Sequence, residues 1–449
     1  MIKYVIIVIY LISTIVVGVI SARKIRTEGD YYIAGRKGNI WRITGSLLAT
    51  ILGSSAILGT ADLALTQGWA ACWLLLCASF GLFMLVPVSI KVRRQGKYTL
   101  PQMIGDFYGK EAKMISSFII SIAWIAIIAA QIIGAAKIMA GFTGLDYALS
   151  VWGSGAVFIF YTVIGGQISV LKTDLYQSFI IIGGILLTAG YILVKQPVSP
   201  FIMTPLKFPF NEGFHPFDLI VLVLTYSTTF VVGPDIYSRL FCAQNEQIAR
   251  KSVLISAIVL IPFSLCITFI GVFAAYKYPE LHQQKGSALI PVMLNTLPEW
   301  GIGLLVAALL SAVMSTGSTT LLTSATIISD PFSKGLDNGY SIKNTKIIMV
   351  FIGILSILLA LTVHSIIQSL LIALTIFSGA FIIPTIWGLF GFTTTKNRSA
   401  IAMITGGIVA LTGKIIALNW ANTAGNLLII IGFILNAMIL FSGIRTKKN

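Results

Sequence analysis

Thirteen apolar runs, each bounded by charged residues or by Gly and Pro clusters, take up most of this 449-residue chain. They fall at about 2–21, 43–66, 69–90, 114–141, 147–164, 175–194, 217–237, 252–276, 301–328, 345–363, 366–389, 399–419 and 425–443. A helix needs roughly 20 apolar residues to cross the hydrocarbon core of a bilayer. Inside lipid every backbone N–H and C=O must find a partner within the protein, and a helix supplies those partners itself. Only 10% of the residues are charged, against roughly 25% in a soluble domain, so the chain cannot cover a water-facing surface. The expectation is an all-α polytopic membrane protein of about 13 transmembrane helices. A soluble enzyme, a nucleic-acid-binding protein and a disordered scaffold are excluded.

The net charge of +16 has a topological origin. About 24 of the 31 Lys and Arg residues fall on one set of alternating loops: six in 21–42, six in 91–113, Lys172, three in 238–252, three in 330–346, two in 394–399 and three in 445–449. Cytoplasmic loops carry the excess of Lys and Arg. The first run resembles a signal peptide, but Arg23, Lys24 and Arg26 follow it and only Lys3 precedes it, so it is read as a retained anchor with its N-terminus outside. An odd number of spans then leaves the basic tail in the cytoplasm, and the chain is placed as a multi-pass protein of the cell membrane. It reads as a single transporter-sized domain over 1–449, with no soluble domain appended. The segment 277–300, with Pro279, Pro291 and Pro298, is either an extracellular lid or an inert connection.

Cys72, Cys77, Cys242 and Cys266 form no CxxC pair and read as packing residues. His215, His282 and His364 lie far apart, so no metal ligand set is expected beyond an alkali ion. No organic cofactor, nucleic acid or obligate protein partner is implied; membrane lipid is the surrounding solvent.

Two spans are interrupted in a matching way. Span 2 carries Gly53-Ser54-Ser55 at its centre, and span 7 carries Thr225-Tyr226-Ser227-Thr228-Thr229 followed by Gly233-Pro234. Helix breaks at membrane depth are tolerated only where the freed backbone is buried or lines a cavity. Paired interruptions in two halves of a chain point to an inverted-repeat transporter. Five helices separate the two breaks, so an odd-numbered, inverted repeat is expected: 43–194 as the first repeat, 217–389 as the second, with 2–21 and 399–443 peripheral. Small residues that merely allow close helix packing are the competing explanation.

Polar groups inside the spans are the candidates for chemistry. On span 9, Ala312, Ser315, Thr316 and Thr319 stand at i, i+3, i+4 and i+7, one helical face. Hydroxyls and freed carbonyls are hard neutral oxygens suited to a monovalent cation, though the same hydroxyls also serve their own backbone or a neighbouring helix. Asp174 opens span 6 in Asp174-Leu175-Tyr176-Gln177, a pattern that also reads as a capping box. Asp62, about two turns beyond the span 2 break, lines an outer vestibule, attracts a cation or an amine-bearing substrate, or pairs with a nearby polar group. Gln131 in mid-span 4 is a cavity liner or an interhelical bridge.

Taken in order, these pieces resemble the sodium/solute symporter family, whose members carry sugars, proline, pantothenate and sialic acids. The likeness runs collinearly through Asp30-Tyr31-Tyr32-Ile33-Ala34-Gly35-Arg36, Gly53-Ser54-Ser55-Ala56-Ile57-Leu58-Gly59-Thr60-Ala61 and Tyr161-Thr162-Val163-Ile164-Gly165-Gly166 with Thr173, Asp174 and Gln177. It continues through Gly233-Pro234-Asp235-Ile236-Tyr237-Ser238-Arg239-Leu240-Phe241, the span 9 run to Asp330, and Phe377-Ser378-Gly379 with Pro384 and Gly388-Leu389-Phe390. The resemblance implies a LeuT-type 5+5 inverted repeat with a broken first helix in each half, working as a sodium-coupled symporter by alternating access and not as an enzyme. It implies a sodium site at the carbonyls of Ala49, Leu52 and Ala312 with the hydroxyls of Ser315 and Thr316. A second sodium site, present in some members, would fall on Asp174, Ser318 and Thr319. The implied solute pocket is Gly53, Ser54, Ser55, Gln131, Tyr226, Ser227, Phe377 and Ser378. Ile51, the Ser55-Ala56 pair and Asp62 depart from the family's pattern and favour a compact amino acid or short carboxylate over a sugar. Two alternatives stay open: proton coupling through Asp174, and a membrane-embedded nutrient sensor that binds without transport.

Overall fold

Most of the apolar runs become helices for the reason that made them visible: nothing in hydrocarbon competes for their backbone. The computed structural model describes residues 1–23, 25–96, 99–196, 206–282, 287–329, 342–363, 365–420, 422–443 and 445–446. The first half comprises α1 (Ile2–Ala22), α2 (Glu28–Ile33), α3 (Ile40–Ile51), α4 (Ser54–Gln67), α5 (Trp73–Gln95), α6 (Leu100–Tyr108), α7 (Lys110–Thr143) and α8 (Tyr147–Lys195). The second half begins with α9 (Pro216–Leu222), a π-helical turn Val223–Ser227, α10 (Thr228–Val232), α11 (Pro234–Cys242) and α12 (Glu246–Lys277). It ends with α13 (Leu289–Asn295), α14 (Glu299–Ser329), α15 (Ile342–Thr362), α16 (Ile366–Leu389), α17 (Lys396–Asn419) and α18 (Asn422–Phe441).

Among the described residues, eleven helical stretches are long and apolar enough to cross a membrane. Two of these stretches each take in two of the thirteen expected runs: 54–95, and α8 with its 49 residues. At 1.5 Å per residue it is much longer than one crossing. It changes direction at Gly166 (φ 59°, ψ 179°), where a Cβ would meet the Tyr31 ring at 2.7 Å. The run 175–194 thus does not begin a helix at Asp174, and the capping-box reading of that residue is wrong. The opposite happens in the run 43–66, which splits into α3 and α4. A single turn of 3-10 helix, Gly68–Cys72, then joins α4 to α5.

The helix that carries the hydroxyl face sits at the centre of the molecule. In an 18-residue apolar stretch of α14, 94% of the residues are buried, so its polar groups face protein and not lipid. It packs on α8, α7, α3 and α1. Gly317 makes room for α8, because a Cβ there would collide with the Phe158 ring. All four cysteines are free, and no cluster of metal-ligating side chains occurs among the described residues. Lys24, Asp330, His364, Lys447 and Lys448, with residues 197–205 and 283–286, lie outside the described residues.

Candidate ion and solute site

The first helix break is built by three residues. Leu52 ends α3 with φ −82° and ψ 44°, Gly53 is extended (φ −73°, ψ −173°), and Ser54 starts α4. In an unbroken helix the Ser54 N–H would serve the Thr50 carbonyl and the Ala56 N–H the Leu52 carbonyl. Here the Ser54 N–H donates to Gln131 Oε1 at 3.0 Å and the Ala56 N–H to the Gly53 carbonyl at 3.1 Å. The carbonyls at the end of α3 lose their helical donors and turn to α14.

There the hydroxyl face meets them. Ser315 Oγ donates to the Ala49 carbonyl at 2.6 Å, and Thr316 Oγ1 lies 3.3 Å from the same oxygen and 2.8 Å from the Thr50 carbonyl. Ser315 Oγ is also 3.3 Å from the Ala312 carbonyl. Ala49, Ala312 and Ser315 are fully buried. Gly53 closes the cage: a Cβ at that position would stand 2.5 Å from Thr316 Oγ1. The family resemblance implied Ala49, Leu52, Ala312, Ser315 and Thr316 as one group. The structure brings two helices together there as a cluster of neutral oxygens without a full charge, and Leu52 stands at the turn itself.

The second break lies slightly later than the polar run Thr225–Thr229, which stays helical in a π turn and α10. The chain leaves the helix at Gly233 (φ −60°, ψ 128°), and Pro234, which has no N–H to give, opens α11. Both charged residues of α11 are buried. Trp124 Nε1 on α7 is 3.0 Å from each carboxylate oxygen of Asp235. Arg239 is completely buried and does not lie on a basic cytoplasmic loop, where the charge count had placed it.

Arg239 organises the region expected to hold a second cation. Its Nη2 donates to Asp174 Oδ2 at 3.2 Å and to Thr319 Oγ1, its Nε to Ser46 Oγ at 3.1 Å, and its Nη1 to Ser238 Oγ at 2.9 Å. Ser46 Oγ in turn donates to Asp174 Oδ2 at 2.5 Å. Asp174 and Thr319 are thus brought together around a guanidinium. Ser318 donates instead to the Ser315 carbonyl at 3.2 Å. Buried charges persist when paired and hydrogen-bonded, and this pair is both.

Between the breaks lies a cavity of about 70 Å³. From the expected solute pocket, Ser55, Gln131 and Tyr226 line it. Gln131 accepts from Ser54 with its oxygen, and its Nε2 has no partner among the described residues. Four expected liners are placed elsewhere. Ser54 Oγ turns to Gln131 and the Ala130 carbonyl, Ser227 sits beside Cys77, and Ser378 donates to the Thr375 carbonyl. Phe377 packs edge-on against Trp124 from behind, centroids 5.0 Å apart. Gly53 offers only backbone. The liners not foreseen include Trp124, Thr229, Asp235 and Thr320. The spacing of Asp235 and Arg239, four apart on a short helix just after a Gly-Pro break, is a signal that could have found the second charged site. Trp124 carried none, since an aromatic in an apolar run is ordinarily packing.

Asp62, half-buried, pairs with neighbouring polar groups. Its Oδ1 accepts from the Ala288 N–H at 2.8 Å and from Ser287 Oγ at 3.1 Å. It thereby holds the segment leading into α13 against α4.

Residues 31–406 match the sodium:solute symporter family. The sodium/proline symporter of Haemophilus influenzae is 24% identical over 447 residues, covering 90% of this chain and 87% of that protein. The sodium/proline symporter of Escherichia coli is 22% identical, covering 90% of this chain and 86% of its own. In structure the chain resembles a substrate-bound outward-open Na⁺-coupled sialic acid symporter with a TM-score of 0.79, at 17% identity, covering 100% of this chain and 99% of the other. That neighbour carries the LeuT-type fold, as does the nucleobase-cation symporter Mhp1, matched with a TM-score of 0.62 at 14% identity and covering 93% of this chain and 95% of the other.

Proposed function

We propose, on the premise that this chain belongs to the sodium:solute symporter family, that it imports a compact amino-acid-like solute by alternating access, drawn by one Na⁺ held between the first helix break and α14. The supporting observation is the apposition of the Ala49 and Thr50 carbonyls with the Ser315 and Thr316 hydroxyls. Neutral oxygens can replace the hydration shell of a monovalent ion and still release it. The ligands would be the carbonyls of Ala49, Leu52 and Ala312 and the hydroxyls of Ser315 and Thr316. The cage exists only while α3 and α14 stay together. An ion that binds the assembled form better than the separated one shifts the equilibrium by that difference and no more.

The solute reading rests on the cavity. The N-terminus of α4 opens beside it, where helix polarity favours an anionic group, and the free Gln131 amide is a donor for the same group. Sodium/proline symporters among the relatives weigh toward an amino acid. Arg239 already neutralises Asp174, which favours one Na⁺ over a second at Asp174, Ser318 and Thr319, and Na⁺ over a proton carried by Asp174. The N-terminus outside and the C-terminus in the cytoplasm, with repeats at 43–194 and 217–389, complete the proposal.

The test is counterflow of labelled L-proline and a panel of amino acids, carboxylates and sugars in proteoliposomes, with Na⁺ present or replaced by K⁺. Na⁺-dependent counterflow of an amino acid is expected. Uptake driven by a pH gradient in sodium-free medium would select proton coupling, and binding without counterflow would select the sensor.

A further inference from the structure

Asp174 and Asp235 are two buried carboxylates served by one buried cation. Arg239 spends its guanidinium on Asp174, Thr319, Ser46 and Ser238, and reaches Asp235 only through that residue's backbone carbonyl, 3.3 Å from Nη1. The Asp235 carboxylate is left with neutral donors: the Trp124 indole N–H, shared between both oxygens at 3.0 Å, and the neighbouring Thr323 hydroxyl. An ionised carboxylate taken out of water without a paired charge is costly. This one borders the central cavity, together with the aromatic rings of Trp124, Tyr226 and Phe230. Ring faces attract organic cations.

We propose that Asp235 is the anchor for a positively charged nitrogen on the transported solute, so that the solute is an amine or a zwitterion and not a plain carboxylate or sugar. A second polar residue lining the cavity supports the pairing. The Ser54 N–H fixes Gln131 Oε1 on the α4 side, which leaves Nε2 of this fully buried cavity-lining residue without a partner among the described residues. A solute with an ammonium toward Asp235 and an oxygen acceptor toward Gln131 satisfies both. This inference rests on the reading of the cavity as the solute site, and does not depend on which ion drives transport.

The experiment compares wild type, Asp235→Asn and Asp235→Glu, purified and reconstituted. The probes are L-alanine and L-proline, which carry both groups, methylammonium, which carries only the cation, and propionate, which carries only the acceptor. Expected results are uptake of the amino acids, competition by methylammonium, no effect of propionate, and an apparent affinity for the amino acids at least about thirtyfold weaker in Asp235→Asn, the loss typical of a truncated buried charge pair. Asp235→Glu keeps the charge and is expected to retain part of the affinity. Na⁺-dependent thermal stabilisation of Asp235→Asn checks that the variant is folded with its ion cage intact. Propionate competing as well as L-alanine, or Asp235→Asn transporting L-alanine with unchanged KM, would overturn the proposal. Amino-acid uptake that needs Asp235 but follows a pH gradient would support it while refuting sodium coupling.

Discussion

Between Ile51 and Ser54 the chain leaves the helix at a glycine that has no room for a side chain, and the freed carbonyls meet hydroxyls. Between Val232 and Pro234 it leaves the helix because proline brings no N–H, and the residues that follow are a buried acid and a buried base. The two interruptions occupy corresponding places in the two halves, yet one is electrically neutral and the other is charged. A neutral cage suits a small ion that must enter and leave within each cycle. Fixed charges suit tasks in which the partner stays, as Arg239 does for Asp174, or in which the partner must be recognised by its own charge. Equivalent geometry therefore does not imply equivalent ligands; the side chains that flank each break decide.

The contrast breaks most visibly if charge at the second site is expendable. Arg239→Ala leaves Asp174 buried without a counter-charge, which costs about 3–5 kcal/mol. The expected result is a large fall in melting temperature in detergent, mostly recovered when Asp174→Asn is added. A single variant as stable as wild type would show that the charged network does not hold the fold. At the neutral break, Gly53→Ala forces a methyl against Thr316 Oγ1. Overpacking of that kind costs about 1–3 kcal/mol, expected as a marked rise in half-saturating Na⁺ in an uptake assay. Ser315→Ala removes one oxygen and leaves the Ala49 carbonyl short of a donor, with an expected rise in half-saturating Na⁺ of roughly tenfold and little change in solute KM at saturating Na⁺. An unaltered Na⁺ response would refute the cage. The smallest effect is expected from Ser378→Ala, whose hydroxyl is turned into its own helix; solute KM should stay within about twofold.

The helices and both breaks were legible because lipid removes the alternatives: an apolar run must be helical, and small or hydroxyl residues inside one need a reason. The face formed by Ala312, Ser315, Thr316 and Thr319 was legible for the same cause. The cap reading of Asp174 failed because its local pattern with Gln177 only imitates a cap, while its ion-pair partner stands 65 residues away on α11. The polar stretch through Gln167 and Lys172 looked like a loop between two spans; it stays within α8 because a helix closes its own hydrogen bonds whatever its side chains do. The solute wall was the least legible part. Nothing in the sequence tells which way Ser54 turns, or that Trp124 offers its indole to an acid 111 residues later.

Asp62 sits eight residues, roughly 12 Å of helix, from the end of α4 that begins at the first break, and it fastens Ser287 and Ala288 to that same helix. The segment leading into α13 and the first break therefore share one stiff helix. Shifting that segment means either unfastening the knot at Asp62 or dragging α4, and a dragged helix loosens whatever its first turn was holding.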